Sequence, residues 1–263
     1  MAVMWSNGIK SYQQGEPFCS QSTGVDHSST VRRKEEENHV GKAVDRPPLF
    51  CGILPSDYSG ISATARVREF ARGEMLYIEG DSVQQVLLLT SGSVKINQLG
   101  LSGTEVILRL ATAGDVLGAV DLCSTGKHCT TAQAFRLCGA LVWDAPAFKV
   151  MVERFPVLHQ NMVRILGGHL LELEARFREV ATERVAPRVA RQVVRLIEKI
   201  GRPVNGAVEI GLSREELAQM TGTTLFTISR LFSAWEARGM VRPRREAVAV
   251  CDVQSLRALC EES

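Results

Sequence analysis

The residues with the clearest chemical potential lie in a short polar stretch near the C-terminal end of the chain. It carries hydroxyl and guanidinium groups at Thr223, Thr224, Thr227, Ser229 and Arg230. Hydroxyl groups suit the phosphate oxygens of nucleic acids, and an arginine can donate two hydrogen bonds to a guanine. The stretch therefore predicts contact with double-stranded DNA.

Two helices joined by a glycine turn would present this stretch. Ser213 and Glu216 have the spacing of a capping box, which predicts that a first helix runs over 214–220. Gly222 supplies the turn, and a second helix is predicted from about 224 to 238. This order of elements is the helix-turn-helix pattern.

Flanking segments extend the same interpretation. A short strand is predicted over 207–210, and a basic turn at 242–245 followed by the apolar segment 247–250 predicts a β-hairpin wing. A helix N-terminus also attracts phosphate, which favours a backbone contact at Arg214. The full set of candidate DNA contacts is Ser213, Arg214, Thr223, Thr224, Phe226, Thr227, Ser229 and Arg230.

A regular apolar seam precedes the helix-turn-helix. Its members follow one another at spacings of 3, 4, 3, 4 and 3 residues, which is a heptad seam of about two and a half repeats. The seam residues are Val163, Leu166, Leu170, Leu173, Phe177 and Val180. We expect a two-helix contact between two copies of the chain, with an ordinary helix packed on its own core as the alternative. Pro187 is expected to end or restart the helix.

The region from about 49 to 146 has a different sequence pattern. Short aliphatic and β-branched stretches alternate with glycine turns about every ten residues, as at 75–78, 86–89, 94–96 and 106–108. This pattern predicts a β sandwich or barrel.

Composition excludes several classes of protein. The 263 residues are 45% hydrophobic and 23% charged, and no apolar run approaches the ~20 residues that span a bilayer. Residues 1–14 have no apolar signal core, so we expect a cytoplasmic protein without a membrane partner. Residues 1–46 are polar and are expected to be a disordered tail. From Arg184 onward, 13 Lys and Arg face 9 Asp and Glu, which favours a polyanionic partner.

The sequence resembles the CRP/FNR family of bacterial transcription regulators. The stretches 70–81 and 91–94 are similar to the opening of the family's β-roll, 113–118 to its pocket-facing turn, and 227–231 to its recognition helix. The resemblance covers roughly 49–259 and looks closer to the FNR-like branch than to the cyclic-AMP branch.

The resemblance implies an α+β fold in four parts. These are the tail at 1–46, a cyclic-nucleotide-binding-type β-roll (a jelly roll) at 47–148, a long dimerisation helix at 149–183 and a winged helix-turn-helix at 184–263. It also implies a homodimer that binds a pseudo-palindromic operator, with half-sites about one helical turn (~34 Å) apart, and RNA polymerase as a further partner.

The effector pocket departs from the cyclic-AMP branch. That branch holds the nucleotide with a glutamate after the pocket glycine and with a downstream arginine-serine pair. Here Gly118 is followed by Ala119, and the downstream pair aligns with Cys129 and Thr130, unless a shift of two residues brings in Lys127. A buried phosphate without a cation is costly, so cyclic AMP is not expected.

The run at 127–134 resembles the oxygen-sensing branch, yet the cysteine spacing does not. An iron–sulfur cluster needs four thiolates, and the tail offers only Cys19, with Cys51 lying 32 residues later. An iron–sulfur cluster is therefore not expected. The seven cysteines are interpreted as free thiols, several of them buried.

Haem and thiol chemistry stay open as alternatives, as does a regulator that binds DNA without an effector. His159 and His169 lie along or beside the seam and could ligate a haem, although a packed or solvated histidine is the commoner case. Cys251 lies near basic residues that could make its thiol reactive, with a buried inert thiol as the alternative. No metal-ligand spacing stands out.

Two further function classes are alternatives to a DNA-binding regulator. No catalytic motif stands out, and Asp115 and Asp121 are explained by turns and caps, so an enzyme is not expected. A ligand-binding module that has lost DNA binding is the other alternative. It is favoured only by Phe226, at a position where family members commonly read cytosine with a glutamate. Phenylalanine could instead contact a thymine methyl group, and Arg230 is retained for guanine.

Overall fold

The computed structural model describes residues 46–261. The predicted tail at 1–46 thus lies almost entirely outside the described residues. In the described part, the helices are α1 (Pro55–Ala63), α2 (Ala119–Cys123), α3 (Ala145–Arg154), α4 (Val157–Thr182), α5 (Val185–Ile200), α6 (Arg214–Thr221), α7 (Leu225–Ala237) and α8 (Val253–Leu259). The strands are β1 (Arg66–Phe70), β2 (Met75–Tyr77), β3 (Gln85–Ser91), β4 (Ser93–Leu99), β5 (Glu105–Thr112), β6 (Val116–Leu117), β7 (Thr131–Ala134), β8 (Cys138–Asp144), β9 (Arg202–Val204), β10 (Ala207–Ile210), β11 (Val241–Arg244) and β12 (Ala247–Val250). None of the helices in 46–261 combines the length and apolarity that crossing a membrane requires.

The first eight strands form a sandwich of two antiparallel sheets. One sheet has the order β1-β8-β3-β6 and the other β2-β7-β4-β5. Side chains from both sheets, such as Leu87 and Leu89 of β3 with Val94 and Ile96 of β4, meet in one buried cluster. The predicted β-roll is therefore confirmed. The short strands β1, β6 and β7 were not expected, because they lack a long apolar run.

Helices cover the outer face of the first sheet. Trp143 of β8 and Phe148 of α3 are buried there together with Leu158, near the start of α4. The Asn161 side chain donates hydrogen bonds to the carbonyls of Leu49 and Cys51 at 2.8 and 2.7 Å. These contacts attach the first turns of α4 to the sandwich. Helix α1 was not expected, because only Ile61 among its apolar residues is buried and no periodic pattern marks it.

The long helix begins later than the sequence indicated. The helical segment expected over 149–183 consists of the end of α3 and the 26-residue α4, separated at Phe155 and Pro156. Pro187, which was expected to end or restart the helix, lies in the first turn of α5, where its missing N–H costs little. The break between α4 and α5 lies at Glu183 and Arg184.

The C-terminal elements pack around a separate core. Val189 of α5, Leu217 of α6, Ile228 and Trp235 of α7 and Val250 of β12 are all buried in it. Its sheet has the order β11-β12-β10-β9, and β11 and β12 form the predicted wing. Two side chains of the sandwich, Leu110 and Phe135, belong to the same core cluster.

Candidate nucleic-acid interface and effector cavity

The two helices of the predicted DNA-binding motif are held by local bonds. Ser213 Oγ accepts from the Glu216 N–H at 3.1 Å, and Glu216 Oε2 accepts from the Ser213 N–H at 2.8 Å. The predicted capping box is therefore present. Gly222 ends α6 with φ of 60°, a left-handed conformation that favours glycine. Thr224 caps α7, accepting from the Thr227 N–H at 3.2 Å.

None of the eight candidate DNA contacts is buried. They lie at the N-terminal end of α6 and along the first two turns of α7. Arg230 is exposed, and the Phe226 side chain is 76% exposed although it is apolar. Arg214 Nη1 lies 3.4 Å from Ser229 Oγ, so the two helices present one shared polar surface.

The arginines of the wing differ in their contacts and in their exposure. Arg244 pairs with Glu209 of β10 at 2.8 Å, whereas Arg245 in the turn is exposed. Arg242 donates from Nε to Cys251 Sγ at 3.2 Å. The Cys251 thiol is thus half-buried beside a guanidinium rather than fully buried.

The seam on α4 is exposed in the single chain. Its six side chains are between 49% exposed (Leu166) and 74% exposed (Phe177). An apolar stripe of this length on a 26-residue helix is unfavourable in water unless another surface covers it. The alternative in which these residues pack on the chain's own core does not hold for the described residues.

A cavity of about 250 Å³ lies between the sandwich and α4. Of the four pocket residues predicted from sequence, Gly118 and Thr130 line it, whereas Ala119 is buried in the neighbouring core and Cys129 is exposed. The full lining is Tyr77, Ile96, Leu108, Arg109, Val116, Gly118, Val120, Asp121, Thr130, Ile165, Leu166, His169, Glu172, Leu173 and Arg176.

Gly118 is required by the backbone at this cavity. Its φ is 81°, and a Cβ there would lie 3.0 Å from the Gln85 carbonyl oxygen. The segment that follows Gly118 is held by a contact of 3.3 Å between Asp121 Oδ2 and His128 Nδ1. The His128 ring also stacks on the Tyr77 ring, with centroids 3.8 Å apart. Burial raises the pKa of Tyr77 to about 12, so its phenol keeps its proton.

Sequence reasoning missed the two cations of the cavity. Arg109 comes from β5 and Arg176 from α4, positions that none of the quoted family motifs covers. A charge inside the apolar run of β5 was the available signal. Two cations therefore line this cavity although the cyclic-AMP motif residues are absent.

These arginines are only partly neutralised. Arg176 pairs with Glu172 at 3.0 Å and donates to the Leu108 carbonyl, whereas the nearest carboxylate to Arg109 is Asp115 at 4.0 Å. Burial lowers the pKa of Arg176. Burial, followed by the charge of Arg109, also lowers the pKa of His169 and favours its neutral imidazole.

The described cysteines are all free thiols. Only Cys138 is buried, which differs from the expectation of several buried thiols. Within residues 46–261, no group of three or more His, Cys, Asp or Glu side chains could hold a metal ion.

Comparison with known families gives two matches along the chain. Residues 67–155 match the cyclic nucleotide-binding domain, and residues 187–259 match the Crp-like helix-turn-helix domain. The first covers the sandwich and the second covers the elements from α5 to α8.

Relatives span most of both chains. A CRP-like cAMP-activated global transcriptional regulator from Mycobacterium tuberculosis is 24% identical over 80% of this chain and 95% of its own length. A cyclic AMP receptor protein from Thermus thermophilus is 26% identical over 74% of this chain and 88% of its own. A solved CooA mutant from Carboxydothermus hydrogenoformans is 25% identical with a TM-score of 0.61, over 78% and 92% of the two chains.

The Mycobacterium tuberculosis relative is a transcriptional regulator, a class of proteins that generally lack catalytic activity. The two domain matches lie in the same order as the sandwich and the helix-turn-helix, and the relatives align across both. This chain belongs to the CRP/FNR family and is a DNA-binding transcription regulator with an effector-binding domain.

Proposed function

We propose that this chain acts as a homodimer that reads a pseudo-palindromic operator with the N-terminal turns of α7. The observation that carries the proposal is the shared polar surface of α6 and α7, where Arg214 and Ser229 meet at 3.4 Å and Arg230 is exposed. Arginine is the side chain best suited to guanine in the major groove. A regulator of this kind acts where bacterial DNA lies, in the cytoplasm, and has RNA polymerase as a further partner.

The exposed seam supports the homodimer. Two copies of α4 packed along the seam would bury six apolar side chains per chain at once. A two-fold dimer places its two recognition helices about one DNA turn, ~34 Å, apart, and this spacing defines the half-sites we expect.

We propose that the effector is a small molecule other than cyclic AMP. The glutamate and the arginine-serine pair of the cyclic-AMP motif are replaced by Ala119, Cys129 and Thr130. A haem-based gas sensor is the second candidate, because His169 lines the cavity and burial lowers its pKa, which favours the neutral imidazole that ligates iron. An absorbance spectrum after anaerobic purification tests this candidate, since a Soret band would favour it over a colourless effector.

Operator selection tests the proposed function. The full chain would be used to enrich duplexes from a random library, and binding would then be measured by mobility shift at two salt concentrations. We expect a palindromic consensus and an affinity that falls steeply with salt. Equal binding to the enriched duplex and to a scrambled duplex would contradict the proposal.

A further inference from the structure

We propose that the cavity binds a small organic anion, a carboxylate or a phosphate ester, through Arg109 of β5 and Arg176 of α4. This inference rests on the proposed function, since it names the class of effector that regulates DNA binding. The two arginines come from different layers of the fold and line the same 250 Å³ space.

Both arginines that line the cavity carry a donor without a partner in the described part of the chain. Among residues 46–261, Arg109 Nη1 and Arg176 Nε are buried nitrogen atoms without a hydrogen-bond partner. A buried donor left unsatisfied costs free energy, and a charged one costs more. An anion bound between the two guanidinium groups would satisfy both donors with charge-assisted hydrogen bonds.

The carboxylates around the cavity are already engaged. Glu172 pairs with Arg176 through Nη2, which leaves Nε free, and Asp121 lies against His128. Asp115 accepts from the Thr112 N–H at 2.7 Å and lies 4.0 Å from Arg109. The local carboxylates therefore do not satisfy the two donors, and an added anion would accept hydrogen bonds that Glu172 and Asp121 do not accept.

Much of the remaining wall is apolar and indicates a ligand with an organic body. Ile96, Leu108, Val116 and Ile165 line it on the sandwich and α4 sides. Inorganic phosphate would leave these side chains without contacts, whereas a ligand with a short hydrocarbon or aromatic portion would bury them.

Such a ligand would act on the dimer directly. Leu166 and Leu173 belong both to the cavity wall and to the exposed seam of α4. An anion that joins Arg109 on β5 to Arg176 on α4 would therefore set the position of the seam relative to the sandwich. This is a route by which an effector could bias DNA binding.

Matched probes test the charge requirement on the full chain. Hexanoate, phenyl phosphate and uncharged hexanamide would be compared by calorimetry and by thermal unfolding. We expect one or both anions to bind and to raise the unfolding midpoint with concentration, and hexanamide to bind at least ten times more weakly. The better of the two anions identifies carboxylate or phosphate as the recognised group. Equal binding of all three probes, or no binding of either anion, would overturn the proposal.

Variants test the residues. Arg109→Gln and Arg176→Gln should each weaken anion binding ~10–100-fold, whereas Arg178→Gln, an exposed arginine on the same helix, should not change it. Arg109→Lys retains the charge and would replace Arg109→Gln in this test if the glutamine variant does not fold. Unchanged binding in the Arg109 and Arg176 variants would also overturn the proposal.

Operator binding by the wild-type chain distinguishes a failure of the proposed anion site from a failure of the proposed function. If sequence-specific DNA binding persists but no anion binds, this inference alone is wrong. If no specific DNA binding is found under any condition, the proposed function is wrong.

Discussion

Arg188 donates a hydrogen bond from Nε to the backbone carbonyl oxygen of Thr221, 3.0 Å away and 33 residues later in the chain. The same guanidinium approaches the carbonyls of Val180 and Glu183 at 3.4 Å. Thr221 is the last residue of α6, directly before the turn into α7, and Val180 lies in the last turn of α4. One buried side chain therefore joins the end of α4 to the helix-turn-helix.

Arg188→Met should destabilise the chain, because it leaves the buried Thr221 carbonyl without its donor. We expect the free energy of unfolding to fall by ~1–3 kcal/mol in urea titrations. Arg188→Lys keeps a donor and a charge, and should lose less. A methionine variant as stable as the wild type would show that the contact contributes nothing.

Leu170→Glu should break the dimer, because Leu170 is 53% exposed in the single chain and belongs to the seam without lining the cavity. Sedimentation equilibrium should give a mass near 28.8 kDa for the variant and twice that for the wild type. Arg178→Glu, exposed and outside the seam, is the control and should stay dimeric. A wild-type chain that sediments as a monomer at micromolar concentration would argue against the homodimer.

Arg230→Ala should weaken binding to the selected operator by ~1–3 kcal/mol and relax the preference for guanine at one position. Arg238→Ala removes the same charge at the far end of α7 and should affect binding much less. Fluorescence anisotropy with operator and single-base variants measures both effects. If the two variants behaved alike, Arg230 would be a phosphate contact rather than a base contact.

His169 should make stability depend on pH. Burial and Arg109 lower its pKa in the folded chain, so the unfolded chain binds the proton more readily. The free energy of unfolding should therefore fall as the pH drops below ~6.5, and the contribution is fully present above that pH. Urea titrations at several pH values should show a shallower acid slope for His169→Gln. His159→Gln, at an exposed histidine on the same helix, is the control for the loss of a histidine from α4.

Gly168→Ala should stabilise the chain by ~0.5–1 kcal/mol, because Gly168 lies inside α4 and a Cβ there meets no atom within 4 Å. Gly118→Ala is the contrasting variant. Its φ of 81° and the nearby Gln85 carbonyl predict a loss of stability. Thermal unfolding of both variants checks the opposite signs, and a destabilised Gly168→Ala would indicate a close contact with another chain at that position.

Local features were predictable from residue order alone. The capping box at Ser213 and Glu216, the turn at Gly222 and the seam on α4 depend on spacings within a few residues, and helical periodicity converts those spacings directly into geometry. The apolar stretches separated by glycines indicated a β sandwich for the same reason.

The cavity depended on contacts between distant segments. Gly118 was predictable because a left-handed turn needs glycine, but Arg109 and Arg176 meet only because β5 and α4 pack against each other. The bond from Arg188 to Thr221 likewise requires α5 and α6 to be docked. Spacing determines which side chains share one helix or strand face. Which faces then meet is set by the packing of whole layers, and only the folded chain shows that arrangement.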